Sequence, residues 1–416
     1  MNHSEADIIV IGGGVIGLSI AYFSACQGAS VILVEKNRTP SGTSYGNAGL
    51  IVPSHCEPLP GPKVIREGIR QLFDSAGAFS IRLRPDPEII LWLLRFCHYC
   101  NLKHFFRSVE IFKALGLASL QLHTDFAKQA GSVYEYDQTG LLHLYVSAKA
   151  FRKSREDASR MEAYGIKSRI LSGDEVRNLD PSIGTQVLGA VQHSIDGRLN
   201  PFTFMEWLTR EAKNKGVHLK TGTEVFGFEK TRRRIEKIYT THGSFRGDQV
   251  VIAAGAWTAL LSKKLGLRLP IQGAKGYSLT FRRPPDSPRI PIILQESHIA
   301  MTPLGDRFRI TGALELSGLD GDIDLKRIKT IQYHANTYVP QLKKMDLMEI
   351  WRGFRPCTPD GLPIIGRAEP FNNLWIASGH STKGMTLGPV TGKLMGEMLA
   401  GKSIGPIAQT LSVNRF

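Results

Sequence analysis

Residues Ile8-Ile9-Val10-Ile11-Gly12-Gly13-Gly14-Val15-Ile16-Gly17 place an apolar run directly before glycines in the spacing GxGxxG. The run predicts a buried strand, and the stretch Leu18–Gln27 predicts a helix. Gly12 permits the sharp turn, Gly14 lets a pyrophosphate approach bare backbone, and Gly17 lets the helix pack closely on the strand. Because a helix begins with free N–H groups and the positive end of its dipole, this stretch predicts a dinucleotide-binding turn rather than a merely structural one.

A second apolar run, Val31–Val34, ends at Glu35. The carboxylate lies about twenty residues beyond the glycines, where it would accept hydrogen bonds from an adenosine ribose. A carboxylate also disfavours a ribose that carries a 2′-phosphate, so the sequence argues against NADP.

The bulk composition describes a globular enzyme-sized chain with an unusual charge. At 416 residues the chain predicts two structural domains, and its 42% hydrophobic and 21% charged residues are ordinary. The formal net charge of +15 is consistent with nucleic acid, an acidic membrane surface or anionic ligands. The densest basic group, Lys230–Arg234, lies between strand-like runs and predicts a solvated hairpin turn. No zinc-finger, RRM or helix-turn-helix signature accompanies it, so we expect no nucleic-acid partner.

The five cysteines are an odd number without a disulfide framework, which favours a reducing, cytoplasmic location. Cys97 and Cys100 have CxxC spacing but no second pair, so we expect neither a metal site nor a redox site there. The amino terminus does not resemble a signal peptide, and no run is long enough to predict a transmembrane helix.

A small-residue segment, Gly42–Ile51, follows the second strand. Its glycines suit a backbone wrapped closely around a ligand, and Ser44 and Asn47 are its candidate hydrogen-bonding residues. We favour cofactor contact over a plain surface loop because the nucleotide motif is adjacent.

Residues 53–110 depart from the nucleotide-binding pattern, and Ile89–Phe96 within them predicts a helix that is apolar nearly all round. Lys103 and Arg107 follow it. The helix fits either a buried core or a membrane surface with the basic residues toward phospholipid, and we favour the core.

Nucleotide-binding features recur later in the chain. The buried strand Gln249–Ala254 leads into Gly255-Ala256-Trp257, which predicts a second close approach of backbone to the dinucleotide. Leu374–Ala377 predicts another strand, and the glycine-rich loop Gly379–Gly388 leads into the final helix. Because these features lie at the start, middle and end, the two domains must be interleaved.

Together these motifs resemble the D-amino acid oxidase superfamily of FAD enzymes over nearly the whole chain. The resemblance rests on the glycine turn, the Gly42–Gly49 loop, Ala253–Trp257, and on Lys275-Gly276-Tyr277-Ser278, Gly353-Phe354-Arg355-Pro356 and the closing Gly-His loop. The Lys-Gly-Tyr-Ser and Arg-Pro motifs are most similar to the bacterial D-amino acid dehydrogenase branch.

The resemblance implies an α/β fold in which an FAD-binding Rossmann-like domain of the GR2 type is interleaved with an α+β substrate domain built on a mainly antiparallel sheet. We assign residues 1–56, 196–268 and 346–416 to the FAD-binding domain. Residues 57–195 and 269–345 are assigned to the substrate domain.

The family pattern implies that Arg355 binds the substrate carboxylate through two charge-assisted hydrogen bonds. Tyr277 and His55 are the other candidate catalytic residues. Lys383 departs from the family's usual closing loop, and we expect its positive charge near the flavin. Cys357 does not match the cysteine that tethers flavin in sarcosine oxidases, so non-covalent FAD is expected.

The motifs and the resemblance together assign these residues to the cofactor: Gly12, Gly14, Val15, Ile16, Gly17, Glu35, Lys36, Ser44, Asn47, Gly49, Leu50, Val225, Ala254, Gly255, Trp257, Gly379, Lys383, Gly384, Met385 and Thr386.

The implied reaction is oxidation of a D-amino acid, or a related secondary amine such as a D-proline derivative, by hydride transfer to flavin N5. The imine would then hydrolyse to a 2-oxo acid and ammonia. The alternatives are an O2-using oxidase for glycine, sarcosine or hydroxyproline, and a basic scaffold that keeps FAD only structurally. The sequence leaves the electron acceptor open between a quinone, an electron-transfer protein and O2, and it leaves peripheral membrane contact open.

Overall fold

The computed structural model describes residues 4–39, 42–62, 64–65, 79–81, 86–162 and 165–416. Its strands, numbered along the chain, are β1 (Glu5–Ile11), β2 (Val31–Val34), β3 (Leu50–Ile51), β4 (Phe79–Ile81), β5 (Leu141–Tyr145), β6 (Arg169–Ser172), β7 (Gly189–His193), β8 (Gly197–Arg198), β9 (His218–Lys220), β10 (Val225–Lys230), β11 (Ile235–Thr240), β12 (Gly243–Ile252), β13 (Gln272–Arg282), β14 (Ile292–Leu294), β15 (Ile299–Leu304), β16 (Arg307–Leu316), β17 (Leu347–Cys357), β18 (Ile364–Arg367) and β19 (Leu374–Ser378).

The described α-helices are α1 (Val15–Cys26), α2 (Gly42–Tyr45), α3 (Pro87–Tyr99), α4 (Leu102–Ala130), α5 (Ala148–Glu162), α6 (Gly173–Leu179), α7 (Pro201–Asn214), α8 (Thr258–Lys264), α9 (Leu325–Tyr338), α10 (Gly384–Leu399) and α11 (Ile407–Leu411). Short 3-10 helices cover Gly255–Trp257, Pro340–Lys344, Ser381–Lys383 and Val413–Arg415.

The first sheet has a parallel centre, in which β1 lies between β2 and β12, β9 pairs with β2, and β19 pairs with β12. The hairpin β10–β11 continues antiparallel from β12, and β18 pairs antiparallel with β19. The central strands are apolar on both faces because helices cover one side and the hairpin layer covers the other. The carboxyl end of β1 therefore opens directly onto the glycine turn.

Helix α10 packs against α1 through a row of glycines. A Cβ atom built on Gly392 would lie 2.5 Å from the Ser19 carbonyl carbon, and one on Gly396 would lie 3.1 Å from that of Phe23. Gly388 meets Val15 in the same way, at 2.7 Å. The missing side chains let the last helix approach the first turn of α1, so both helix N-termini lie at one edge of the sheet.

The second sheet runs in the order β17-β13-β16-β15-β14-β5-β7-β6, with β4 at the side of β16. Its pairings are antiparallel except β14–β5 and β4–β16. Phe308 and Ile310 of β16 pack in the apolar core with Ile328 and Ile331 of α9. Since side chains alternate along a strand, Arg309 and its neighbours on the same face point to the other side, toward the first sheet.

These two sheets match the predicted α/β class with its mainly antiparallel substrate sheet. The predicted ranges 1–56, 196–268 and 346–416 supply all eight strands of the first sheet. They also contain β17, which pairs with β13 along almost its whole length and so belongs to the second sheet. Parts of the range 57–195 lie outside the described residues.

Two local predictions have clear outcomes. Lys230–Arg234 forms the predicted turn between β10 and β11, so that prediction is confirmed. The preference for a core position of the apolar helix is wrong for one of its faces. Ile89 and Trp92 of α3 are buried, but Ile90, Leu91 and Leu94 are between 51% and 65% exposed. The helix lies on the surface, since only one of its faces meets β13 and β17.

Within the described part of the chain, the helices fall short of the length and apolarity needed to cross a membrane.

Candidate active site

The turn after β1 has the geometry that its glycines predict. Gly12 has a φ of 114°, which only glycine adopts without strain, and a Cβ there would lie 2.5 Å from the Ala253 carbonyl oxygen. A Cβ on Gly17 would lie 1.9 Å from the Gly12 carbonyl oxygen. Gly14 is the N-cap of α1, and the first N–H groups of this helix have no acceptor within it. The turn thus presents backbone donors and a positive dipole to one point.

Glu35 lies at the carboxyl end of β2 and is almost fully buried. Its carboxylate accepts hydrogen bonds from the backbone N–H of Gly13 at 2.6 Å and of Asn37 at 2.8 Å. These contacts fix the carboxylate at the edge of the turn. Beside it, the Lys36 ammonium lies 3.9 Å from the centre of the Trp257 ring.

A cavity of about 320 Å³ runs along the carboxyl ends of the parallel strands. The predicted cofactor residues that line it are Gly12, Gly14, Val15, Ile16, Glu35, Lys36, Ser44, Asn47, Val225, Ala254, Gly255, Trp257, Gly384 and Met385. This cavity combines the N-terminus of α1, a buried carboxylate and apolar walls. That donor set fits a dinucleotide, with anionic phosphates at the turn and a ribose at Glu35.

The segment 42–49 closes one side of this cavity. The Ser44 hydroxyl accepts a hydrogen bond from the Val15 N–H at 3.0 Å, so it caps the start of α1. The Asn47 side chain accepts from the Gly49 N–H at 2.8 Å, which holds the segment in a tight bend. On the other side, the Thr43 hydroxyl donates to the Phe354 carbonyl of β17 at 3.1 Å. The segment therefore connects the glycine turn to the second sheet.

Six predicted cofactor residues do not line this cavity, namely Gly17, Gly49, Leu50, Gly379, Lys383 and Thr386. Gly17 acts through packing. The Thr386 hydroxyl binds the backbone of Leu50 and Val52, so these residues join α10 to β3. The Lys383 ammonium lies 4.9 Å from the centre of the Phe112 ring, and burial lowers the pKa of Lys383 to about 8.

Arg355 lies on β17 and reaches across a glycine of β13. A Cβ on Gly276 would come within 2.0 Å of the Arg355 Nη1 atom, so the guanidinium occupies the space that a side chain would need. Nη1 donates to the Ala313 carbonyl at 2.8 Å, and Ala313 adopts a φ of 62°. Burial lowers the pKa of Arg355. Among the described residues no carboxylate pairs with this guanidinium, which leaves most of its donors free for an anion.

Tyr277 lies on the opposite face of β13 from Gly276. It is buried in the apolar core beside α9, and its hydroxyl donates to Glu315 at 3.1 Å. Burial, followed by the charge of Glu315, raises the pKa of Tyr277 to about 12. The structure therefore does not bring Tyr277 together with Arg355, and this position favours a structural part over the substrate contact that the resemblance implied.

His55 packs against His143, which packs in turn against His193, and the sequence analysis singled out neither of these two histidines. The His55 ring centre lies 5.1 Å from that of His143, which lies 5.0 Å from that of His193. Burial, followed by the charge of Lys383, lowers the pKa of His55 to about 3, so the ring is neutral. His143 also contacts the Gln295 amide.

Other cavity-lining residues were not individually predicted as cofactor contacts, although several lie in the motifs quoted from the sequence. They are Ile11, Val34, Asn37, Gly42, Thr43, Thr223, Glu224, Phe226, Ala253, Leu260, Leu261, Lys264, Pro356, Ala377, Ser378, His380 and Ser381. Most follow a strand end or lie on α8, and only the pairing of the sheet brings them to the cavity. The described residues contain no cluster of three or more His, Cys, Asp or Glu suited to a metal ion.

This fold and cavity define a dinucleotide-binding protein with a second, mainly antiparallel sheet. The profile of the family described as "FAD dependent oxidoreductase" matches residues 7–398, so the chain belongs to that family. FAD is accordingly its cofactor.

Curated relatives carry a more specific name. The D-amino acid dehydrogenase of Helicobacter pylori (strain ATCC 700392 / 26695) is 30% identical over 395 residues, which cover 95% of each chain. The D-amino acid dehydrogenase of Vibrio atlanticus is 29% identical over 99% of this chain and 100% of its own.

Solved structures support the fold. Glycine oxidase from Geobacillus kaustophilus matches with a TM-score of 0.81, 22% identity and 99% coverage of both chains. L-proline dehydrogenase from P. horikoshii matches with a TM-score of 0.75 and 23% identity, covering 100% of this chain and 98% of its own.

Proposed function

We propose that this protein oxidises a D-amino acid, or a related secondary amine such as a D-proline derivative, to an imine that hydrolyses to a 2-oxo acid. The observation that carries the proposal is the Arg355 guanidinium, which is enclosed beside Gly276 and has no carboxylate partner among the described residues. A partly buried arginine without a carboxylate partner suits an anion, and the relatives named D-amino acid dehydrogenase supply the chemical class of that anion.

Arg355 would bind the substrate carboxylate with two charge-assisted hydrogen bonds and so fix the direction of the Cα–H bond. Bound FAD supplies the acceptor that takes the hydride from Cα. The substrate amine would lie near a guanidinium and out of water, and both effects favour its neutral form. The proton can therefore leave on binding, and the chain needs no dedicated base for this step.

The cofactor contacts are proposed on the same basis. The α1 N-terminus would bind the pyrophosphate, and Glu35 would accept from the ribose. Ser44 and Asn47 would hold the loop that closes over the cofactor. The Cys357 thiol shares a hydrogen bond with the Ser381 hydroxyl at 3.4 Å, and burial raises the pKa of this thiol, which supports non-covalent FAD.

Anaerobic mixing of the purified holoenzyme with paired D- and L-amino acids tests the reaction. We expect D-alanine or D-proline to bleach the yellow flavin, while the L-enantiomers leave it oxidised. A flavin that stays oxidised with every D- and N-substituted amino acid would contradict the proposal. Readmitting air then tests the acceptor, because an oxidase releases stoichiometric peroxide at once, whereas the dehydrogenase that we propose needs an added quinone.

We also propose that the exposed face of α3 contacts an anionic membrane surface peripherally. Ile90, Leu91 and Leu94 form its apolar face, and the exposed Leu102 and Lys103 continue it. Apolar residues next to basic ones suit a phospholipid interface, and the net charge of +15 adds attraction to anionic lipid.

Co-sedimentation with vesicles that contain anionic phospholipid tests this contact. Leu94→Glu should reduce vesicle binding about tenfold, since a charge then enters the apolar interface. Leu325→Glu, which changes an equally exposed leucine on α9, should leave binding unchanged. Equal binding by both variants and the natural protein would contradict this proposal.

A further inference from the structure

Arg309 is a buried arginine that neither the glycine motif nor the carboxylate site accounts for. It lies near the start of β16 and is 3% exposed. Its neighbours Phe308 and Ile310 pack into the core beside α9, so the Arg309 side chain leaves the sheet on the face toward the FAD-binding fold. A guanidinium buried in this way must be held by several acceptors.

The sheet itself fixes one side of the Arg309 guanidinium. Nε donates to the Thr280 hydroxyl on the paired strand β13 at 3.1 Å. Nη2 lies 3.9 Å from the Glu349 carboxylate on β17, which is the next strand. Burial lowers the pKa of Arg309, and the charge of Glu349 opposes that effect. The neighbouring strands β13, β16 and β17 therefore fix the orientation of the Arg309 guanidinium.

The other side of the Arg309 guanidinium binds the backbone of residues 45–47, in the segment 42–49 beside the cofactor cavity. Nη1 donates to the Tyr45 carbonyl at 2.7 Å and to the Asn47 carbonyl at 3.1 Å. The Tyr45 hydroxyl donates in turn to Glu349 at 3.1 Å, and the Arg309 guanidinium carbon lies 5.6 Å from the centre of the Tyr45 ring. The backbone of 45–47 is thus tied to the second sheet at two carbonyls.

This loop also carries the groups that face the cofactor cavity. Ser44 caps α1 immediately before Tyr45, and both Ser44 and Asn47 line the cavity. Arg355 lies on β17, the same strand as Glu349. The hydrogen bonds of Arg309 therefore determine the distance between the segment 42–49 and the second sheet, which carries Arg355, the proposed carboxylate-binding residue.

We infer that Arg309 is a positioning residue that sets the separation between the FAD-binding loop and the substrate-binding sheet without touching either ligand. The inference rests on the proposed function for the meaning of Arg355, but its effect on FAD does not depend on the substrate. Lysine cannot replace it, because a single ammonium cannot reach Thr280, two loop carbonyls and Glu349 in one plane.

The test compares Arg309→Gln and Arg309→Lys with Arg307→Gln. Arg307 lies two residues earlier on β16, is about half exposed and pairs only with Asp306 among the ion pairs of the described residues. For each variant the apoprotein is titrated with FAD, and the visible circular dichroism of the bound flavin is recorded together with the thermal midpoint of the apoprotein. None of these readouts requires turnover, so failure of the substrate assignment does not affect them.

We expect both Arg309 variants to raise the Kd for FAD at least tenfold and to change the flavin dichroism. Arg307→Gln should stay within twofold of the natural protein in Kd and leave the dichroism unaltered. Arg309→Lys keeps the positive charge but loses the planar guanidinium. A weaker FAD affinity in this variant therefore reports the geometry of the hydrogen bonds and not the loss of a charge. If Arg309→Gln fails to fold, Thr280→Val is used in its place. This variant removes the hydrogen bond from Arg309 Nε to the Thr280 hydroxyl, and we expect its Kd for FAD to rise threefold.

The inference is overturned if Arg309→Lys binds FAD with natural affinity and dichroism. It is also overturned if the variants lose thermal stability in proportion to FAD affinity, with an unchanged dichroism, since that pattern belongs to a purely structural arginine.

Discussion

The glycine turn after β1 and the sheet face that carries Arg355 are both proposed to bind an anion, but they use different groups. The turn uses backbone N–H donors and a helix dipole, and all of its parts lie between Gly12 and Gly17. The sheet face uses one side chain, and it needs the absent side chain of Gly276 and the carbonyl of Ala313 from two other strands. The first site depends on close backbone packing, and the second depends on burying a charge.

This difference determines which substitutions each site tolerates. At Gly12 and Gly17 of the turn, an added Cβ collides with backbone atoms, so sterics dominate at these two positions. On the sheet we expect size to matter less than charge, because an uncharged replacement of Arg355 would leave the proposed substrate carboxylate buried without a partner. Four predictions sharpen or break this contrast.

The largest effect is expected at the turn. Gly17→Ala places a Cβ 1.9 Å from the Gly12 carbonyl oxygen, so α1 must move away from the strand. We expect the Kd for FAD to rise about 1000-fold, or about 4 kcal/mol, as measured by titration of the apoprotein. Gly227→Ala is the control, since its Cβ meets nothing closer than 3.6 Å. Retention of stoichiometric FAD by Gly17→Ala would show that the turn is not governed by packing.

On the sheet, Arg355→Met should leave FAD content unchanged and lower kcat/KM about 100-fold, or about 3 kcal/mol, because the carboxylate loses charge-assisted bonds. Steady-state kinetics with D-alanine measures the loss. Arg352→Met, on the same strand but the opposite face, should change kcat/KM less than about threefold. Equal losses in the two variants would remove Arg355 from the role proposed for it.

Asp196 lies where β8 meets β3, at the seam between the two regions. The Ser54 hydroxyl donates to its carboxylate at 2.5 Å, and burial raises the pKa of Asp196 from 3.8 to about 7. The folded chain then keeps a proton that the unfolded chain releases, so the free energy of unfolding should fall as pH rises from about 4 to about 7. Outside that pH range, the contribution of Asp196 to the free energy of unfolding does not change with pH.

Between pH 5 and pH 7, the free energy of unfolding of Asp196→Asn should therefore rise by about 2 kcal/mol relative to that of the natural protein. Urea unfolding at each pH measures this difference. Asp7→Asn should show no such pH dependence between pH 5 and pH 7, because the Ser30 amide and hydroxyl lower the pKa of Asp7 and its carboxylate is ionised in both states above pH 5. An Asp196→Asn profile parallel to that of the natural protein would contradict the assigned proton.

The smallest effect is expected at Glu35. Glu35→Gln keeps one acceptor oxygen for the Gly13 N–H but loses the negative charge, so the Kd for FAD should rise about fivefold, or about 1 kcal/mol. Fluorescence titration with FAD measures the change. Glu5→Gln, at the exposed start of β1, serves as the matched control. A rise as large as that for Gly17→Ala would blur the distinction between the two sites.

The same contrast explains what the sequence could predict. Glycines, the strand before them and Glu35 are neighbours in sequence, and local spacing is enough to predict their geometry. The α/β class and the membership in the FAD-dependent family followed from such motifs and are confirmed. The residues on the sheet face come from strands far apart in the chain, so only the assembled sheet shows which of them meet.

Tyr277 and Arg309 illustrate the limit. Tyr277 lies one residue after Gly276 in a family motif, yet strand alternation directs it into the α9 core. Arg309 belongs to no motif, and its position opposite Thr280 is set by the pairing of β13 with β16, which are distant in the sequence. The apolar sequence of α3 likewise predicted a core position, although only one face of the helix is buried. Hydrophobicity alone does not show which face of a helix a neighbouring element covers.

The most direct test of the central claim is a crystal structure of the holoenzyme with an unreactive carboxylic acid analogue of a D-amino acid bound. The account predicts FAD along the glycine turn, its adenosine ribose at Glu35, and both carboxylate oxygens within hydrogen-bond distance of Arg355. A carboxylate bound elsewhere, with the Arg355 guanidinium turned away from the flavin ring, would contradict it.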